Sequence, residues 1–282
     1  MKRFLKILLW TFLCLFLLLV VSMGLFVYKI KNGFPVSYET NRPSLNIPSD
    51  RPAILLFSKS TGFRHTGSID TAKMVITEMA RRNNWYLYET EEGGIFNPEQ
   101  LRKFKVIIFN NSTGRVLNDE QQNALESHID NGGSLIGIHG AGDDSHHWPW
   151  YEANLLGGKF SHHSIKMQLQ DAQVIMDETA DSGFKRSLSS QWPNADEWYV
   201  FFNQPVGFQV LYYIDGEKID PNGNIFWVKD KNFGMGKKHP VAWYKSTGKG
   251  KSFYTSMGHS QEVWRRTDYR HLIEEAIRWS IR

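Results

Sequence analysis

From Ala53 onward the chain alternates short apolar runs with longer stretches in which apolar residues recur every three or four positions. AILLFS (Ala53 to Ser58), KVIIFN (Lys105 to Asn110) and SLIGIH (Ser134 to His139) lack polar alternation, the mark of strands covered on both faces. WYLYET (Trp85 to Thr90) reads as a further strand. SIDTAKMVITEMARRN sets Ile69, Ala72, Val75, Ile76 and Met79 at helical spacing, with Ser68 as N-cap. NDEQQNALESHIDNGG reads as a helix capped by Asn118 and closed by Gly132 and Gly133. Such units joined by short connections predict an α/β fold, a parallel sheet with helices on both faces. In the second half KMQLQDAQVIM, EWYVFF, FQVLYYI, VAWYK and KSFYTSM read as strands that extend or cover that sheet. The chain closes on an amphipathic helix, DYRHLIEEAIRWSIR, with Asp268 as N-cap.

The N-terminus has a different pattern. After MKRFLK, Ile7 to Tyr28 is about 22 residues without a charge, the length a bilayer core requires. No small-residue cleavage site follows, so residues 1–31 are expected to be an uncleaved anchor rather than a secretory signal. Lys2, Arg3 and Lys6 outweigh Lys29 and Lys31, which predicts a cytoplasmic N-terminus and a domain on the periplasmic side of a membrane. Residues 32–52 carry Pro, Asn and Ser without apolar period and read as a linker; 53–282 form the domain. The net charge of +4 is spread along the chain and points to no nucleic acid. The lone cysteine, Cys14, lies in the apolar segment, so the domain has no disulfide, thiol nucleophile or cysteine metal ligand.

In parallel sheets functional residues collect at the carboxyl ends of the strands. Here those ends are SKSTGFRH, NNSTG and HGAGDDSHHWPW, all polar and glycine-bearing, and they are expected to meet in one crevice. The two STG segments (Ser60 to Gly62 and Ser112 to Gly114) look like anion-binding turns but fit neither a P-loop nor a G-x-G-x-x-G fingerprint.

These residues carry a resemblance. The chain resembles the ThuA-like, or trehalose-utilisation, family, whose fold is similar to that of class I glutamine amidotransferases and is flavodoxin-like. The likeness runs from about Ala53 to Ile281 through FSKSTGFRH, NNSTG, GGSLIGIHGAGD, WPWY, GGKFSHH, DEWYVF, HPVAWY and FYTSMGHSQEVW, in the family's order. Ser164 stands where the family usually has proline, and His146 and His147 replace less basic residues. Glutamine amidotransferases carry a nucleophilic cysteine in the turn after the strand that here ends at His139. Glutaminase chemistry needs that thiolate, so it is not expected here.

All ten histidines follow the apolar segment. His128 and His271 fall inside predicted helices and are expected at the surface, whereas His65, His139, His163, His239 and His259 fall in motifs at strand ends or loops. Three readings follow. Imidazoles with one carboxylate, from Asp143, Asp196 or Glu197, hold a divalent ion such as Zn²⁺, Mn²⁺ or Ni²⁺, with His139, His163 and Glu197 as the candidate ligands. Alternatively His139, His163, His259, His65 and Glu197 work as general acids and bases. In the third reading the pocket only hydrogen-bonds a ligand. Trp148, Trp150, Trp198 and Trp243, with Asp143, His239 and Thr113, are candidates for binding a sugar by ring packing and hydroxyl contacts. The resemblance implies a carbohydrate substrate, a disaccharide, glycoside or 3-keto-sugar, processed by a lyase, isomerase or hydrolase. The alternative is a sugar-binding or scaffold module without catalysis.

Overall fold

The computed structural model describes residues 2–32, 36–143, 147–226 and 228–282. They fall into two compact units, Met1–Ser37 and Tyr38–Arg282. The first is built on one helix, α1 (Lys2–Asn32), whose window Arg3–Phe26 has a mean hydropathy of 2.7. By length and composition this helix is able to cross a membrane, a property it shares with N-terminal signal sequences.

In the second unit the four runs read as strands form β1 (Ala53–Phe57), β2 (Tyr86–Thr90), β3 (Val106–Asn110) and β4 (Ser134–Ile138). All four are parallel, and α2 (Thr66–Arg82), the short α3 (Pro98–Leu101) and α4 (Asp119–Asp130) lie between them. Alternate strand residues serve opposite faces. Ile54, Leu56, Val106, Ile108, Ile136 and Ile138 join a core with α2, while Leu55, Phe57, Ile107, Phe109 and Leu135 join one with Leu125 and Ile129 of α4. The middle of each of the three apolar runs therefore has no polar position, because β1, β3 and β4 are buried on both faces. The Asn118 cap closes a full capping box with Gln121.

The later strands extend this sheet. After α5 (Pro149–Tyr151) and β5 (Phe160–His162) come β6 (Gln170–Met176), α6 (Ser182–Ser187) and β7 (Gln191–Asp196). β8 (Val200–Phe201), β9 (Gln209–Ile214), β10 (His239–Thr247) and β11 (Gly250–Thr255) follow, and α7 (Gln261–Arg265) and α8 (Thr267–Ile281) close the chain. The sheet order is β2-β1-β3-β4-β11-β10-β9-β6-β7, with β5 and β8 paired separately. β11 is parallel to β4, and every later pair is antiparallel. The pairing of Thr255 with Ile138 sets the turn after β11 beside the turn after β4.

Several local expectations are corrected. Ser68 is not an N-cap: α2 starts at Thr66, and the Ser68 hydroxyl bonds the Gly258 carbonyl at 2.5 Å. Asp268 sits in the first turn of α8 and accepts from Ser189 Oγ. EWYVFF yields only the two residues of β8. QWPNAD is instead a strand, masked in the sequence by Pro193, which is tolerated because β7 is an edge. His128 is half-buried rather than exposed, and burial pushes its pKa down to about 4.

Of the segment read as a linker, the part from Tyr38 is held on the domain. Glu39 pairs with Lys59 at 2.5 Å and accepts from the Gly93 amide, Gln121 Nε2 donates to the Glu39 carbonyl, and Leu45 and Ile47 pack on the α4-side core. Gly94 lies against the Asn41 backbone, leaving no room for a Cβ. Gly94→Ala is therefore expected to lift this segment, because the alternative is an overpacking cost of roughly 1–3 kcal/mol. A glutamate-specific protease should then cut after Glu39 several-fold faster than in the parent, and an unchanged cutting rate would argue against the docking.

Candidate functional site

The site is assembled from the carboxyl ends of β1, β4, β7 and β11. β4 stops because His139 adopts φ +44, the left-handed region, where a non-glycine residue is strained by roughly 1–3 kcal/mol. The distortion is held by its surroundings. Tyr254 Oη donates to the His139 carbonyl at 2.9 Å, Tyr151 Oη to Ala141 O at 2.8 Å, and the Gly140 amide to Asn111 Oδ1 at 3.3 Å. The result aims a fully buried imidazole across the sheet end.

His139 Nδ1 lies 2.7 Å from the Ser256 carbonyl. A carbonyl only accepts, so Nδ1 carries a hydrogen and Nε2 is the nitrogen left to face the carboxylate. That nitrogen is 3.3 Å from Glu197 Oε2 and 3.1 Å from His259 Nδ1, and His259 Nδ1 is 3.2 Å from the same Oε2. His163 Nδ1 takes the other carboxylate oxygen at 3.3 Å, and Gln168 Nε2 donates to it at 2.7 Å. His65, at the N-terminus of α2, completes the group: its donor atom and those of His139, Glu197 and His259 lie within 4.8 Å of one another.

The electrostatics follow from crowding in a dry place. Burial alone would raise the Glu197 carboxyl, but hydrogen bonds and charge from His139 and His259 hold it well below the usual carboxylate range. Burial opposes charge on His259 too, yet its bond to Glu197 and the nearby Asp196 lift its pKa above the ordinary value. For His65 burial dominates, the neighbouring imidazoles add to it and the Glu197 charge offsets it only in part, so its pKa falls to about 3 and the ring is neutral. Its Nδ1 is buried without a hydrogen bond. His139 Nε2 facing an ionised carboxylate at 3.3 Å requires a proton or a metal ion between them. A proton on His259 can serve, and so can a metal ion.

The residues fit a metal ion. Donors held at roughly 2.0–2.2 Å by one ion stand roughly 3.0–3.5 Å apart, and the His139, His259 and Glu197 atoms are 3.1–3.3 Å apart. Two imidazoles and one carboxylate on one face form a recurrent site for divalent first-row metals. The bond from His139 to Ser256 O fixes the tautomer that binding needs. Of the ligands expected, His139 and Glu197 are in this group. His163 is displaced to the outer oxygen of Glu197, and His259 and His65 stand in the compact set.

The other candidates have different places. Trp148 is buried and donates to Glu126 Oε1, Trp198 is buried and donates to the Gln170 carbonyl, and Trp243 is buried and donates to Leu155 O. These indoles are core, not walls of a sugar site; Trp150 is half-buried and stacks on Trp148. His239 is buried between the carbonyls of Tyr199 and Met235, and burial brings its pKa down to about 4. It supports Tyr199, whose ring lies 4.4 Å from that of His139. Thr113 is fully buried: its hydroxyl donates to Phe63 O and its carbonyl accepts from Thr61 and Gly62. The two STG segments thus bond each other, which accounts for their turn-like composition. Asp143 ends the turn begun at His139, half-exposed. His147 is exposed, and His146 lies outside the described residues. Gln168 and Tyr199 were not singled out; Tyr199 stood inside DEWYVF, while Gln168 had no signal in its surroundings.

The ThuA family model, described as trehalose utilisation, matches residues 53–280. No curated protein matches the chain. Among solved structures, a ThuA-like protein from Bacteroides uniformis ATCC 8492 is 22% identical, over 88% of this chain and 95% of its own, with a TM-score of 0.67. A ThuA-like protein from Parabacteroides merdae ATCC 43184 is 14% identical over 82% and 90%, with a TM-score of 0.61. A cytoplasmic protein from Salmonella typhimurium LT2 is 12% identical over 80% and 98%, with a TM-score of 0.54. At these identities the likeness establishes the fold. With the family model spanning nearly the whole of the domain, the chain belongs to the ThuA family.

Proposed function

We propose that this domain is a carbohydrate-processing enzyme whose chemistry centres on Glu197 and its histidines, with a divalent metal ion held by His139, His259 and Glu197 and closed by His65. The observation that carries this reading is the triangle of two imidazole nitrogens and one carboxylate oxygen at 3.1–3.3 Å, in a buried setting that demands a cation. The carbohydrate class comes from the family's description and not from the indoles, three of which are core. Zn²⁺, Mn²⁺ and Ni²⁺ all suit this donor set. When bound, such an ion supplies a Lewis acid for a carbonyl or hydroxyl oxygen.

The chain's own residues divide the remaining work. His139 is fully buried, and its Nδ1 hydrogen is committed to Ser256, so it serves as a fixed donor group. His163 is the most accessible histidine on Glu197, its side chain 29% exposed against 16% for His259 and 0% for His139. With Nδ1 turned to Glu197 and the Ser164 carbonyl, its Nε2 is the base that takes a proton from substrate. On a 3-keto-sugar the proton is the acidified one beside the keto group, and isomerisation, β-elimination or hydrolysis begins from that carbanion. The apolar N-terminal helix and the lysines and arginine before it support an anchor with the domain outside the cytoplasm.

Elemental analysis of the full chain, purified without chelator, is expected to find one equivalent of a first-row divalent metal. His139→Ala and Glu197→Gln should lose it, and a parent protein that neither carries nor takes up Zn²⁺, Mn²⁺ or Ni²⁺ would falsify the metal assignment. His163→Ala should keep the metal and lower turnover of a 3-keto-glycoside by roughly 10²–10⁴-fold. Equal turnover in that variant removes His163 from the chemistry.

A pH signature separates the proton from the metal. In chelated protein His259 has a raised pKa and Glu197 a depressed one, so their pair stabilises the fold most between the ordinary carboxylate and histidine values, near ~4.3 and ~6.5. The His259 share is lost as pH rises through its folded pKa, and the Glu197 share as pH falls through its own. NMR titration of metal-free protein should give His259 a midpoint above ~6.5 that drops in Glu197→Gln. Identical midpoints in the two proteins would contradict the pairing.

A further inference from the structure

Beside the histidine cluster the domain exposes large apolar side chains. In the bend after β5, Ile165, Met167 and Leu169 are 48%, 53% and 50% exposed. Phe202 is 54% exposed, and in the segment before β10 Ile225 and Phe226 are 44% and 82% exposed. These stretches are tied together. The Ile165 amide donates to Asn222 O at 3.1 Å, Gly223 lies against the His162 ring, and Lys231 Nζ stands 4.4 Å over the Phe202 ring while donating to Ser161. Lys166, Lys229 and Lys231 punctuate the apolar positions, against one acid, Asp230. The same bend supplies Gln168, whose amide reaches Glu197 Oε1.

We propose that this patch docks the domain onto an anionic bilayer, with the bend that carries Gln168 at the lipid headgroups. Water-soluble domains seldom expose apolar side chains contiguously without a binding partner. Apolar residues interleaved with lysines complement a negatively charged lipid surface, where the apolar groups enter the headgroup boundary and the ammonium groups stay at it. The chain also carries its own reason to meet a bilayer. α1, in the same chain, is apolar and long enough to cross one. A bend that bonds the central carboxylate on one side and lipid on the other makes the site's outer oxygen contact sensitive to the membrane surface. The inference rests on the membrane reading of α1 and is independent of the metal.

The test uses the full chain with Cys14→Ser in vesicles of phosphatidylcholine with or without phosphatidylserine. A nitroxide is placed at Met167→Cys, Phe226→Cys or, as an exposed control on β6, Gln173→Cys. With phosphatidylserine, labels at 167 and 226 should collide more with oxygen and less with a water-soluble nickel chelate, while the label at 173 does not change. Lys166→Glu with Lys229→Glu should reverse this, since each lysine near such a surface contributes roughly fivefold in partitioning. Labels that stay as water-accessible as the control overturn the docking, and labels shielded from both reagents mean a protein partner and overturn it too. Vesicle flotation reports the anchor separately. A chain that floats with water-exposed labels keeps α1 in the membrane and loses the patch, and one that does not float loses both.

Discussion

The arrangement at the sheet end depends on one buried carboxylate, Asp196. It is fully buried at the end of the edge strand β7 and accepts from three backbone amides: Gly258 at 2.7 Å, His259 at 3.1 Å and Glu197 at 2.9 Å. Burial raises its pKa, and the amide donors and nearby imidazoles pull the other way. In sheet order β7 is four positions from β11, yet this side chain binds the turn that follows β11. The antiparallel half of the sheet must therefore curl until its edge returns to the parallel half, an exaggeration of the normal twist. Glu197 and His259 are thereby fixed to the same anchor, one on each side, and their contact is a consequence of it.

A second constraint is local. His139 occupies the turn after β4 in a backbone conformation that glycine would adopt without strain. Asn111, in the turn after β3, is likewise left-handed, with φ +54, and its side chain accepts from Gly140 and donates to Ser68. Ser68 in turn bonds Gly258 O and accepts from Trp264 Nε1. A continuous buried network thus joins the ends of β3, β4 and β11 to α2 and α7, and every donor in it has a partner. Such networks rigidify when fully satisfied. The strain at His139 is held by contacts that also place His259, so the two imidazoles are positioned by the same set of bonds.

This explains which features could be read from the chain and which could not. AILLF, VIIFN and SLIGI are legible because a strand covered on both faces is apolar except at its ends, where Asn110 and Ser134 are buried with hydrogen-bond partners. The Asn118 capping box is legible because its bonds are local. QWPNAD was missed because an edge strand tolerates proline and polar residues, and its role comes from where it ends rather than from what it contains. In the site, His139 and Glu197 stood out as chemistry-bearing types at strand ends. That His259 and not His163 shares Glu197 Oε2 with His139 depends on the curl of the sheet and on Asp196, neither of which leaves a pattern in neighbouring residues. The tryptophans misled for the opposite reason. An indole next to a glycine-rich turn suits a sugar, but it equally suits a core that can offer one carbonyl or carboxylate to its N–H, and Trp148, Trp198 and Trp243 each found one.

The fold resembles that of the class I amidotransferases, and the contrast at the turn after β4 shows what the same scaffold does with a different residue. A thiol there must be exposed to attack a carbonyl, and it needs one base to remove its proton. An imidazole with its Nδ1 hydrogen bonded to a carbonyl cannot act that way, since its free nitrogen is a fixed lone pair. Such a lone pair is stable in a buried place only if something positive meets it, and here the neighbours on offer are another imidazole and an ionised carboxylate. With a histidine in place of the nucleophile, in a pocket that also draws in Glu197 and His259, the same turn belongs to a group of donor atoms that could hold a cation. The strained turn thus aims His139 Nε2 at the Glu197 carboxylate and at His259.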